Sequence, residues 1–136
     1  MSDAPATSPE FPPLGCSAIV YRALLRSSLI DKITGRISAG AFMRRAKDVD
    51  GLSVYVSANY SKRQIVLDFD PCHGIVSLHV GRIRDIGLDV QCDSLVHANI
   101  IGLPTEDNLL MAERFAGLLA RQARLQWKRG DAAPDD

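Results

Sequence analysis

The chain has 136 residues, 46% of them hydrophobic and 24% charged, with a formal net charge of zero; this is the make-up of one globular domain large enough to bury a core without metal or disulfide support. No apolar run reaches bilayer-spanning length and no basic stretch leads into an apolar one at the start, so the expectation is a cytoplasmic protein without a membrane segment. Cys16, Cys72 and Cys92 are odd in number and lack the spacing of a disulfide framework, which suits ordinary reduced thiols.

Residues 1–14 hold four prolines and few large apolar groups. They cannot bury enough surface to offset the entropy of ordering, so a disordered tail is expected there and again at 129–136. A single domain fills 15–128. Its first strand is expected within 17–25, where Ile19, Val20 and Tyr21 give a β-branched and aromatic start. Arg22 falls inside this apolar run, as an edge-facing cation or one aimed at something negative. Residues 27–36 read as a loop around Asp31 and Gly35. The segment 37–42 is too small and glycine-rich to assign, and 44–51 is a polar turn ending in Gly51.

Residues 52–57 alternate large apolar side chains with Ser53, Tyr55 and Ser57, the period of two of a half-buried strand. Asn59 to Lys62 is a loop or helix start, and 65–69 a short element ended by Asp70-Pro71. A good strand follows at 74–80, then at most two helical turns closed by Gly87. Further strands are expected at 88–92 and 97–101. After Leu103-Pro104 the spacing predicts one long helix, with Thr105 as N-cap and Glu106 and Asp107 in its first turn. Its apolar stripe runs through Leu109, Ala112, Ala116, Leu119, Ala120, Ala123 and Trp127, with Met111, Phe115 and Leu118 widening it, and Lys128 lies on the polar side. The fold class is therefore α+β, a small mixed or antiparallel sheet packed against a long C-terminal helix.

The folded segment is mildly basic. With the two tails removed, 15–128 keeps fifteen basic and eleven acidic residues, an excess of four. That is compatible with a phosphate or nucleic acid ligand, through Arg44, Arg45, Lys47, Lys62 and Arg63, and equally with a solvated surface. Cys72-His73 and Cys92 with His97 are metal-capable, yet the paired spacing of a structural zinc site is missing. No phosphate loop, dinucleotide fingerprint, nucleophile elbow or zinc-protease helix is present. No metal and no cofactor are expected. What remains is a set of polar groups on predicted strands, Arg22, Ser38, Ser53, Tyr55 and His97. If those strands adjoin, Arg22 can hold an anion and His97 can move a proton; a histidine satisfied in the core is the plainer alternative.

Tyr21-Arg22, the stretch 38–42, Gly51-Leu52-Ser53-Val54, the strand 74–80, His97-Ala98-Asn99-Ile100 and the closing helix together resemble a group of small uncharacterised bacterial proteins, over most of 18–127. The resemblance assigns no site residue. More distantly, an arginine on the first strand, Ser and Tyr on the second and a histidine strand after Gly87-Leu88 is similar to the layout of small ADP-ribosyltransferase-type toxins, with the departure that no glutamate lies on a late strand. The leading expectation is an interaction or regulatory domain that binds another protein through a sheet edge or the helix surface. The alternative is a small nucleotide- or RNA-directed enzyme, a toxin–antitoxin or defence component, with Arg22, Ser53, Tyr55 and His97 around one pocket.

Overall fold

A computed structural model describes residues 11–45 and 48–134. All pairings are antiparallel in one six-stranded sheet: β1 (Ile19–Leu24), β2 (Leu52–Val56), β3 (Gly74–His79), β4 (Asp89–Cys92), β5 (His97–Ile101) and β6 (Arg124–Lys128), ordered β4-β5-β2-β1-β3-β6. Three α-helices accompany it among the described residues, α1 (Lys62–Asp68), α2 (Val80–Asp85) and α3 (Leu109–Gln122). The α+β class is thus observed, with a long helix near the C-terminal end closing one side of an antiparallel sheet. No helix among the described residues is long and apolar enough to cross a membrane.

Alternation along the strands divides the core in two. Val20, Leu24, Leu52, Val54, Val56, Val76, Leu78, Val90, Ala98 and Ile100 point to one face and are buried against Ala41, Phe42, Ile83, Leu103, Ala116 and Leu119. Ala112 and Ala116 let α3 approach closely over the 3₁₀ turn Ala39–Phe42, which Ser38 caps by accepting the Gly40 N–H at 3.1 Å. The opposite face carries Tyr21, Ile75 and Trp127, covered by Ile65 of α1 and by Cys72. Ser61 starts α1 by accepting the Gln64 N–H at 3.0 Å. The loop and the short element expected around 59–69 are therefore one capped helix.

The long helix ends earlier than its periodicity suggests. Ala123 turns extended, and Arg124–Lys128 become the edge strand β6 against β3. Backbone groups along the outer side of β3 would otherwise lack partners, and pairing them overrides the good helix propensity of this segment. Trp127 is buried as expected, but on the α1 side of the sheet rather than on a helix stripe. Leu109, placed at the head of that stripe, is 52% exposed. Thr105 opens a 3₁₀ turn, Glu106–Asn108, without a side-chain cap, and α3 begins only after it. Beyond β6, Trp127 Nε1 donates to the Ala132 carbonyl at 2.9 Å.

Candidate functional site

The site arises where a ladder stops. β2 pairs with β5 through four residues, Leu52 to Tyr55, and β1 pairs with β3 through six; yet β1 and β2 pair only at Val20 with Val56 and Tyr21 with Tyr55. Past Tyr21 the two strands part. Arg22 stands at the parting, on the side of Val20 and Leu24. Its Nε donates to the Ala41 carbonyl at 2.6 Å and its Nη1 to the Ser53 carbonyl at 2.7 Å. The guanidinium thus supplies the donor that a continuing β1 would have offered to Ser53. Nη2 has no partner among the described residues, and no described carboxylate lies within 4.0 Å of Arg22.

Burial lowers the Arg22 pKa to about 10; the Asp48 charge opposes this and the Arg45 charge adds to it. The group is still a cation at neutral pH. It lines a cleft of about 530 Å³ that also takes in Ser53, Tyr55, Arg26, Asp48 and Phe69. That lining draws on both faces of the sheet, because the strands that would divide them have separated. Arg26 and Arg45 are exposed. Arg45 Nε lies 3.6 Å from Asp48 Oδ2, whose oxygen also accepts the Arg45 backbone N–H at 3.0 Å. Arg44 fixes the same loop by donating to the carbonyls of Asp48, Val49 and Leu103 at 2.8, 3.0 and 2.8 Å.

An aromatic group forms one wall. Tyr55 stacks on Tyr60 with ring centres 4.7 Å apart and meets Phe69 edge-on at 5.9 Å and His97 edge-on at 5.4 Å. Burial holds its phenol above the usual value, with the Asp68 charge acting in the same direction. His97 Nδ1 pairs with Asp93 Oδ1 at 2.7 Å, Asp93 Oδ2 accepts Asn99 Nδ2 at 3.2 Å, and Ser94 Oγ accepts the His97 backbone N–H at 2.9 Å.

Of the four residues singled out in the sequence, Arg22, Ser53 and Tyr55 line one cleft. His97 does not; it is directly opposite Tyr55 on β5 and reaches the site only through that ring. As a register pair His97 and Tyr55 share the α1 side while Arg22 is on the α3 side; Tyr55 lines the cleft with Arg22, and His97 is not among its lining residues. Sequence reasoning missed Arg26, Asp48 and Phe69 as lining residues and Asp93 as the partner of His97. Nothing local marks the first three. The last is visible as an acid four residues before the histidine across a serine-bearing turn.

The basic residues considered for nucleic acid are divided between two places. Arg44 is committed to backbone carbonyls near Leu103, while Lys62 stands 6.0 Å over the Tyr21 ring and Arg63 is exposed on α1; Lys47 lies outside the described residues. Cys72 is buried, its Sγ 3.4 Å from the Gly74 carbonyl, and burial raises its pKa and that of Cys92. Among the described residues no three His, Cys, Asp or Glu side chains gather as a metal site. The late strand β6 reads Arg-Leu-Gln-Trp-Lys, without a glutamate. No protein-family model, no curated protein and no solved structure matches the chain.

Proposed function

We propose that the protein is a cytoplasmic binding domain that takes an anionic ligand into the cleft between β1 and β2, with Arg22 as its anchor. One observation carries the reading: a half-buried guanidinium with no described carboxylate within 4.0 Å, two of its nitrogens fixed on carbonyls and the third without a described partner, in the lining of a cavity of ligand size. Such a fork is pre-organised for an oxyanion, and an anion there offsets the cost of keeping the cation out of water. The test is titration with inorganic phosphate followed by calorimetry. Saturable one-site binding that Arg22→Gln abolishes supports the proposal; no binding at low ionic strength, or binding unchanged in a folded Arg22→Gln protein, contradicts it.

The toxin-like enzyme reading uses the same cleft. The one carboxylate in the lining, Asp48, is already bound by Arg45, and His97 stands behind Tyr55, so binding is better supported than catalysis. Capture of another protein is a second reading, favoured by Leu110, 78% exposed beside Leu109 at the start of α3, and by the edge position of β4. A complex with a protein of the native host that Leu110→Lys disrupts would support it. A monomer that retains no partner from that host would end it.

A further inference from the structure

The cleft carries more than an oxyanion needs. Arg22 lines it, and Arg26 and Arg45 add two further guanidiniums against the single carboxylate of Asp48, an excess of two positive charges. A phosphate monoester near neutral pH matches that excess, and a monocarboxylate does not. All three cations are arginines, whose planar forks suit phosphate oxygens better than the point charge of lysine. At about 530 Å³ the cavity has room for several times the bulk of a bare phosphate.

The remaining wall specifies the rest of the ligand. Tyr55 and Phe69 present aromatic surface to the cavity, and Tyr55 is held in place by the stack on Tyr60 and the edge of His97. A ring so supported loses little freedom when a second planar ring settles against it. Asp48 keeps an oxygen, Oδ1, that accepts no described hydrogen bond, so it can receive a ribose hydroxyl or a base N–H.

We infer that the ligand of this cleft is a nucleoside phosphate, its phosphate on Arg22, Arg26 and Arg45 and its base against Tyr55 and Phe69. The inference rests on the anion-binding reading and adds the base to it. Calorimetric titration of the full chain with inorganic phosphate, ribose 5-phosphate and adenosine, guanosine and uridine 5′-monophosphates separates the two. At least one nucleotide is expected to bind about tenfold or more tighter than ribose 5-phosphate, the advantage of a stacked base. Tyr55→Leu and Phe69→Leu, checked for folding by circular dichroism, are expected to erase that advantage, read as the ratio of nucleotide to ribose 5-phosphate affinity. Equal affinity for ribose 5-phosphate and every nucleotide overturns the nucleoside assignment and leaves the anion site standing. Failure of all five compounds overturns both. Should either variant not fold, the wild-type ratio of nucleotide to ribose 5-phosphate decides alone.

Discussion

The two flanks of β2 differ, and the difference places the site. Toward β5 the strand is sealed by four consecutive residue pairs, and the side chains beneath, Val54, Ala98 and Ile100, are fully buried. Toward β1 only two pairs form; then one side chain, Arg22, takes over the role of backbone donor. A closed ladder leaves no polar group free to meet a ligand. An interrupted one exposes carbonyls, and a cation that caps them keeps a nitrogen to offer elsewhere. The lesson is that the polar residue inside an apolar strand run serves the fold and the cleft at once.

The comparison can be broken most sharply in the sealed flank. Ile100→Ala removes a fully buried side chain and is expected to destabilise the protein by about 2–5 kcal/mol in denaturant melts. Phosphate affinity of the folded fraction should stay as it was. On the open flank Arg22→Met leaves the carbonyls of Ala41 and Ser53 without their donor, at a cost of about 1–3 kcal/mol, and also abolishes anion binding. Loss of stability without loss of binding would make Arg22 purely structural. Raising ionic strength should weaken phosphate binding progressively, because Arg26 and Arg45 are exposed and therefore screened.

The smallest effect is expected at the outer edge of the sealed flank. Arg84 Nε donates to Asp89 Oδ1 at 2.8 Å. Partial burial pushes the Asp89 pKa up, but the Arg84 bond and the Val90 N–H outweigh it, and the net shift is downward. A carboxyl depressed on folding contributes stability above its unfolded pKa and loses it as pH falls through the folded value. Asp89→Asn should therefore cost less than about 1 kcal/mol at neutral pH, since the carboxylate is exposed and the pair is screened by solvent, and nothing in strong acid. Chemical denaturation at both pH values measures it.

Five of the six strands were legible, β2 and β3 from the alternation of their residues and β1 from its β-branched and aromatic start. β6 was not. Arg124-Leu125-Gln126-Trp127-Lys128 does alternate, but Ala123 and Trp127 also continue the helical spacing, and no glycine or proline marks the change. Only the open side of β3, invisible in a local reading, decides between the two. The site was half legible for the same reason. Arg22 stood out as a cation among apolar neighbours and Tyr55 as the aromatic in a clean strand, whereas Asp48 and Phe69 reach the cleft through a loop and the end of a short helix. His97 was noticed for its chemistry, but its face depends on register, which sequence alone does not fix.

The most direct measurement follows the arginine side-chain Nε–Hε signals by nuclear magnetic resonance while inorganic phosphate is added. The Arg22 signal, assigned by its loss in Arg22→Gln, should move saturably, together with smaller shifts at Arg26 and Arg45. An Arg22 signal that stays fixed while other residues saturate, or while nothing moves at all, would contradict the account.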